Sequence, residues 1–231
     1  EKNLTIQLAG SDPKKYGQCA SIIEEQGYDE INLNIGCPSS KVVKGEFGAC
    51  LMNNPEKVAD CVYEIKKSCD LPVSIKTRLG LGYEENLDLL FTLINKTKSS
   101  GCSKYIIHAR NAILNGLSPK KNRKIPLLRY ADVTTVKNSF PDLEFYLNGG
   151  VEDISEIKKN IDKFDGLMIG RRIYDNPMFL NEIEEQIYNN EETLSRKSIL
   201  EKYLKYALSL QNKDTSNYLL LRHLFSLYYN T

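Results

Sequence analysis

Short hydrophobic runs alternate with longer amphipathic stretches along most of the chain. Six of the runs have the length and the β-branched, apolar composition of buried strands, and they cover residues 4–10, 30–36, 73–79, 105–110, 144–150 and 166–171. The stretches between them have helical spacing, and two open with a capping residue followed by proline, Asp12-Pro13 and Asn54-Pro55. Strict alternation of strand and helix predicts right-handed crossovers and a parallel sheet.

The pattern changes after about Tyr174. From there the apolar residues keep helical spacing, and no further strand-like run separates the helices. We therefore expect two parts, a strand-and-helix domain over residues 1–185 and the start of an all-helical appendage over 186–231, which is incomplete at its end.

Polar or glycine-rich groups follow nearly every predicted strand. An open doubly wound sheet gathers its chemistry at one switch point, whereas a (β/α)8 barrel rings it around the carboxyl ends of many strands. We therefore predict an α/β fold of the TIM-barrel type with about six βα units visible. Either the barrel is incomplete, or the first two units lie upstream of residue 1. The strand-end groups are Gln7, Asn34, Cys37, Lys76, Arg78, His108, Arg110, Asn148, Gly149, Gly150, Gly170 and Arg171.

Composition narrows the possible functions. The chain has 231 residues, 41% of them hydrophobic and 26% charged, and no apolar run approaches the length of a membrane span. The six cysteines lack metal-type spacing and the only histidines, His108 and His223, are far apart, so we expect no metal site and reduced thiols in an intracellular, cytoplasmic setting. A net charge of +1 excludes a globally basic nucleic-acid binder.

One local run departs from this balance. Residues 118–129 carry five cations and no acid, and by itself this run has the composition of a solvated loop. The two last strands end in "NGG" and "GRR", and loops of this kind at the end of a barrel expose backbone amides that can bind phosphate. Lys76 lies inside an apolar strand, where it is either a cation for a reduced flavin or an ordinary strand-end lysine that reaches water.

Several stretches together resemble the tRNA-dihydrouridine synthases. They are "EINLNIGCPSSKVVKGEFGACLM", "VSIKTRLG", "IIHARNAILNGLSPKKNRKIP", "YLNGGV" and "DGLMIGRRIYDNP", and the similarity runs from Leu4 to about Leu180. The block "GLSPKKNRKIP" resembles most closely the subgroup that modifies U20 and U20a of the tRNA D-loop. Relative to that family the chain looks truncated at both ends.

The resemblance implies an FMN-binding barrel at 1–185 followed by a helical tRNA-binding domain. It implies an oxidoreductase that reduces the C5–C6 double bond of a D-loop uridine, with NADPH as the reductant and tRNA as the partner. Hydride would pass from N5 of the reduced flavin to C6, and Cys37 would give its proton to C5 as the general acid. Neither a metal nor a membrane is implied, and the oligomeric state stays open.

The resemblance also assigns roles to single positions. Substrate-binding positions would be Asn34, Arg78, His108, Lys120 and Arg123. Cofactor-binding positions would be Gln7, Lys76, His108, Asn148, Gly149, Gly150, Gly170 and Arg171.

Two alternatives remain open at this point. One is another FMN-dependent barrel dehydrogenase that acts on a small molecule of the dihydroorotate or dihydropyrimidine type. It would share the phosphate site and the lysine, but it does not predict Arg123 inside a five-cation loop. The other is a non-catalytic tRNA-binding protein on the same fold, against which the joint presence of Cys37, Lys76 and Arg123 argues.

Overall fold

Six parallel strands form one sheet in the computed structural model, which describes residues 3–210 and 216–228. The strands are β1 (Thr5–Leu8), β2 (Glu30–Asn34), β3 (Val73–Arg78), β4 (Lys104–His108), β5 (Glu144–Asn148) and β6 (Gly166–Met168). Their order in the sheet is the order in the chain, β1 to β6. Every crossover therefore advances by one strand in the same direction, which is the connectivity of a TIM barrel and not of a doubly wound sheet.

Helices connect the strands as the sequence predicts. The α-helices are α1 (Pro13–Glu25), α2 (Ser40–Lys44), α3 (Pro55–Ser68), α4 (Asp88–Ser99), α5 (Tyr130–Ser139), α6 (Ile154–Asn160), α7 (Arg171–Asp175), α8 (Phe179–Ile187), α9 (Arg196–Ser209) and α10 (Asn217–Leu221). Short 3₁₀ helices cover Gly48–Asn53, Lys121–Arg123, Ile161–Lys163 and Arg222–Leu227. The two predicted caps are confirmed, because the side chains of Asp12 and Asn54 accept backbone N–H groups of α1 and α3.

The two faces of the sheet have different compositions. Ile31, Leu33, Ile75, Ile107 and Leu147 are fully buried in a cluster with apolar residues of α3 and α4. The residues that alternate with these five along the strands are mostly polar, for example Asn32, Ser74 and Lys76. Since successive side chains of a strand point to opposite faces, the apolar face supplies the core and the polar face remains for hydrogen bonding.

The chain divides into two compact units. The first is Glu1–Gly150 with Ile161–Met168 and holds all six strands; the second is Val151–Asn160 with Ile169–Thr231 and holds α6 to α10. The part of the second unit that the structure describes contains no strand. The predicted boundary at residue 185 stays a prediction. No helix among the described residues is both long and apolar enough to cross a membrane.

The predicted strands are right in number and position but too long at their carboxyl ends. The fifth was predicted over 144–150, whereas β5 ends at Asn148. Gly149 and Gly150 have φ of 97° and 75°, values outside the strand region that a residue with a side chain rarely adopts. The chain therefore turns immediately after Asn148.

Candidate active site

The carboxyl ends of β2 to β5 bring the predicted polar residues to one edge of the sheet. The strand register pairs Asn34 with Lys76, Arg78 with His108, and His108 with Asn148. Gln7 lies one strand further out, paired with Asn32. The prediction that these strand-end residues lie together is thus confirmed by the sheet itself.

Lys76 is the central cation of this edge. Its Nζ donates to Oδ1 of Asn148 over 2.8 Å, and Nδ2 of Asn148 donates to the carbonyl of Met168 over 2.7 Å. Burial, and secondly the charge of Arg78, lower the pKa of Lys76 to about 8. The amide of Asn148, predicted to bind phosphate, therefore has both of its polar atoms engaged, the oxygen by Lys76 of β3 and the nitrogen by the Met168 carbonyl of β6.

A chain of side-chain amides links β1 to β2 beside the lysine. Nε2 of Gln7 donates to Oδ1 of Asn32 over 2.7 Å, and Nδ2 of Asn34 donates to Oε1 of Gln7 over 3.1 Å. Asn32 in turn donates to Oγ of Ser74 over 2.7 Å. These bonds fix which atoms of Gln7 and Asn34 are left to meet a ligand.

Cys37 begins a loop that Asn34 holds in place. Oδ1 of Asn34 accepts the backbone N–H groups of Gly36 (3.3 Å) and Cys37 (3.1 Å), which is the short-range turn that asparagine favours. The carbonyl of Cys37 accepts the N–H of Ala49 over 3.0 Å. The half-buried thiol lies 3.5 Å from Oγ of Ser39. The backbone N–H and the carbonyl of Cys37 are therefore both hydrogen-bonded, whereas its side chain stays partly accessible.

Arg78 is buried and contacts the start of this loop. Its Nε donates to the carbonyl of Gly36 over 3.1 Å, and its Nη1 donates to the carbonyls of Asn111 (3.1 Å) and Asn122 (3.0 Å). Burial is the main cause that lowers the pKa of Arg78 to about 10; Arg123 and Arg110 act in the same direction and Cys37 in the opposite one. Arg78 therefore contacts protein backbone in three places, whatever else it binds.

The basic loop, residues 118–129, also contacts Arg78, through the carbonyl of Asn122. Arg123 ends a 3₁₀ turn and is half-buried, whereas Lys120, Lys121 and Lys124 are exposed. The Nε of Arg123 is buried and has no hydrogen-bond partner within residues 3–210 and 216–228. A buried donor without an acceptor is unfavourable. The predicted role of Arg123 in substrate binding stays a prediction.

His108 packs against the glycines that follow β5. A Cβ on Gly149 would lie 2.9 Å from Cε1 and Nε2 of His108, and one on Gly150 would lie 2.5 Å from Cδ2 of Leu128. Both glycines also have positive φ, so they are needed for the turn as well as for the close approach. The hydroxyl of Tyr130 donates to the carbonyl of Gly149 over 2.8 Å and fixes the turn.

Gly170 and Arg171 belong to the second unit. Gly170 precedes α7, and Arg171 is the exposed first residue of that helix. Their predicted role at a phosphate stays a prediction.

Three buried asparagines contribute to the site without having been predicted. Asn32 is 3% exposed, Asn111 6% and Asn122 0%, and all three bond to residues discussed above. A signal existed for Asn32, which alternates with Asn34 on a strand. Asn122 stands among lysines in a hydrophilic run, where a solvated residue is the usual expectation.

The thiols and acids form no other centre in the described part of the chain. All six cysteines are free, and no group of three or more His, Cys, Asp or Glu side chains there is arranged to hold a metal ion.

Comparison with known proteins adds a family and a fold. Residues 1–231 match the family model described as Dihydrouridine synthase (Dus). A tRNA-dihydrouridine(20/20a) synthase of Synechocystis is 41% identical over 230 residues, 99% of this chain and 69% of that protein. One from Vibrio cholerae is 40% identical over 232 residues, 100% of this chain and 71% of that protein, and one from Escherichia coli K12 is 45% identical over 194 residues, 84% and 56%. A phosphoenolpyruvate phosphomutase structure from Streptomyces platensis subsp. rosaceus superposes with a TM-score of 0.52 at 12% identity, over 96% of this chain and 91% of that one, and so shares the fold.

Proposed function

Because the chain belongs to the dihydrouridine synthase family, we propose that it is a tRNA-dihydrouridine synthase that acts at position 20 or 20a of the D-loop. The reaction is the reduction of the C5–C6 double bond of a uridine. The observation that carries the proposal is the meeting of the Cys37 loop and the Arg123 loop on one buried guanidinium, Arg78. An acid and a donor for a pyrimidine carbonyl thus share one edge of a barrel that also holds the half-buried Lys76.

The residues present fit FMN as the cofactor. FMN, when bound, supplies the hydride for C6 of the uracil ring, with NADPH as the source of electrons. Lys76 would face the ring as a cation without a carboxylate partner, and Gln7 has a second N–H and a second lone pair for the polar edge of the ring. Gly149 and Gly150, whose positive φ turns the chain directly after β5, would offer backbone to the phosphate. Asn148 would keep Lys76 in place. Gly170 and Arg171 would contact phosphate, as the resemblance implies.

Cys37 holds the proton that C5 of the uracil requires. The two backbone bonds that Asn34 accepts fix the start of the loop, so the thiol needs no reorganisation to reach one face of a ring placed above it. Asn34 and His108 would lie beside the same ring as substrate contacts. Arg78 would act chiefly through the backbone groups that it holds.

Arg123 supplies what the uracil carbonyls would accept. Its buried Nε lacks an acceptor within the described residues, and a base carbonyl would remove that unfavourable state. A uridine of folded tRNA must first be flipped out of its stack to reach this edge. The exposed Lys120, Lys121 and Lys124 would then contact phosphates beside the flipped nucleotide, with an affinity that falls as salt rises.

The appendage predicted over residues 186–231 would also contact tRNA. The cationic side chains of α9 would contact phosphate there; they are Arg196, Lys197, Lys202 and Lys205.

The test is the replacement Cys37→Ala, with Cys50→Ala as the matched control in the same loop region. General acids contribute roughly 10²- to 10⁴-fold to a rate, so we expect the turnover of tRNA by Cys37→Ala to fall by that factor. Bound FMN and its reduction by NADPH should be unchanged in both variants. A Cys37→Ala protein that forms dihydrouridine at the wild-type rate would refute the assignment. A wild-type protein that oxidises NADPH with a free pyrimidine but does not bind tRNA would favour the small-molecule alternative.

A further inference from the structure

Asn122 is fully buried in the middle of the basic loop. Its Oδ1 accepts the N–H of Ile113 over 2.7 Å, and its Nδ2 donates to the carbonyls of Ile113 (2.9 Å) and Leu117 (3.2 Å). One side chain therefore closes residues 113–122 into a compact loop. Because the amide is satisfied on both sides, its removal would leave buried backbone groups of the loop without partners.

Arg78 joins this loop to the loop that carries the thiol. The carbonyl of Gly36 belongs to the peptide bond that enters Cys37, and the carbonyl of Asn122 belongs to the peptide bond that enters Arg123. Both carbonyls accept N–H groups of the same guanidinium, over 3.1 and 3.0 Å. The two residues that would meet opposite parts of the substrate are thus tied, each through the peptide bond before it, to one buried side chain.

Two buried residues, Asn111 before the basic loop and Arg129 at its end, also hold its ends in place. Nδ2 of Asn111 donates to the carbonyls of Gly82 (3.1 Å) and Glu84 (2.8 Å), and its Oδ1 accepts Nη2 of Arg129 over 2.8 Å. Arg129 is itself buried and lies 3.0 Å from a carboxylate oxygen of Asp132. The loop thus starts and ends at buried, hydrogen-bonded residues, which leaves its tip as the part that Asn122 must hold.

The tip needs to be held because Arg123 and Arg78 are like charges close enough to lower the pKa of Arg78. Without the bonds of Asn122, the repulsion would favour a loop that turns Arg123 away into solvent. We propose that Asn122 is a positioning residue, which together with Arg78 keeps the loop in the shape that presents Arg123 beside Cys37 before tRNA binds. This inference rests on the proposed function, since it assumes that Arg123 contacts the uracil. Ordering the loop in advance leaves a smaller entropy loss at binding.

The first experiment is a double-mutant cycle of Asn122→Ala and Arg123→Ala, read as kcat/KM for tRNA. Misplacement of a binding group by about an ångström can cost roughly 100-fold, so we expect Asn122→Ala to lower kcat/KM by roughly 10- to 100-fold. If Asn122 acts through Arg123, the same change made on Arg123→Ala should cause little further loss. Asn160→Ala is the control, because it also removes a buried amide, whose Nδ2 donates to the carbonyl of Glu156. Its effect on kcat/KM should multiply with that of Arg123→Ala.

The second experiment does not depend on activity. Trypsin cuts after the lysines and arginines of residues 120–124, and local opening controls the rate of such cuts. Asn122→Ala should raise the cutting rate there by about tenfold while cuts within α9 (Arg196–Ser209) keep their wild-type rate. The isosteric Asn122→Asp, which keeps the acceptor and loses both donors, replaces Asn122→Ala if the latter fails to fold.

Three outcomes are distinguishable. Multiplying effects in the cycle, or unchanged cutting of the loop, overturn the role of Asn122 while tRNA reduction by the wild-type protein stands. Equal increases of cutting in the loop and in α9 indicate general destabilisation and also overturn it. A wild-type protein that does not act on tRNA removes the proposed function, and the inference with it.

Discussion

Lys76 makes the stability of the protein depend on pH in a direction opposite to that of an ordinary salt-bridged lysine. Burial lowers its pKa from 10.5 to about 8, so above pH 8 the folded protein has largely released a proton that the unfolded chain keeps up to about pH 10.5. Stability rises with pH wherever the unfolded state binds more protons. The charge on Lys76 therefore destabilises the fold at pH 7, and this penalty disappears between pH 8 and pH 10.5.

The size of the effect follows from the two pKa values. With a pKa of 10.5 in the unfolded chain and about 8 in the folded protein, the charge of Lys76 destabilises the fold by about 3 kcal/mol at pH 7 and about 2 kcal/mol at pH 9. The difference, about 1 kcal/mol, is the amount by which wild type should gain on Lys76→Met over this range. Lys76→Met also loses the hydrogen bond to Asn148. To first order, this loss changes the free energy of unfolding of the variant by the same amount at pH 7 and at pH 9, so it cancels from the difference.

The assay is urea unfolding at pH 7 and pH 9 without added flavin. The free energy of unfolding of wild type minus that of Lys76→Met should become more positive by about 1 kcal/mol from pH 7 to pH 9. Lys67→Met, at an exposed lysine of α3, is the control, and its difference from wild type should stay constant. A flat or falling difference for Lys76→Met would refute the claim that this lysine is desolvated in the folded state.

Three further changes test other parts of the molecule. In Gly48→Ala, φ of 63° and a Cβ placed 2.8 Å from the carbonyl oxygen of Cys37 should displace the thiol loop, so steady-state kinetics should show lower turnover while flavin absorbance is retained. Tyr105→Phe removes a buried 2.7 Å bond to a threonine hydroxyl and should lower the urea-unfolding free energy by about 1–2 kcal/mol with activity unchanged. Asn148→Asp should place a carboxylate on the buried lysine, which would raise the pKa of that lysine and abolish the pH effect described above.

The order and direction of the strands could be predicted because each strand has one apolar face. Leu33, Ile75 and Leu147 come from runs whose alternating residues are polar, and the helical stretches between the runs leave only parallel pairing. The carboxyl ends of the strands were harder, since the predicted fifth strand continued through Gly149 and Gly150, where the backbone has already turned. What ends the strand is a conformation of single residues that hydrophobic patterning does not encode.

The residues of the site could be predicted where position in a parallel sheet determines them. Arg78, His108 and Asn148 end neighbouring strands and are paired in register, and Lys76, two residues before the end of β3, donates to Asn148. The contacts of Arg78 could not be foreseen, because its partners are backbone carbonyls of two loops whose paths depend on tertiary packing. Asn122 was missed for the same reason: its hydrophilic neighbours indicate a solvated loop, and only the folded loop shows that its amide is buried.

Neutral groups hold the cations Lys76 and Arg78 at this edge, and this affects the charge that a ligand meets there. Lys76 bonds to a side-chain amide and Arg78 to backbone carbonyls, and no salt bridge within the described residues involves Lys76, Arg78 or Arg123. Carboxylates would hold the same side chains more tightly, but they would also cancel the charge. Amides and carbonyls orient the cations and leave their field available, at the expense of the desolvation that lowers the pKa of Lys76. An edge of this kind is less stable by itself and more favourable for a ligand that becomes negatively charged, as a reduced flavin and a uracil ring that accepts hydride both do.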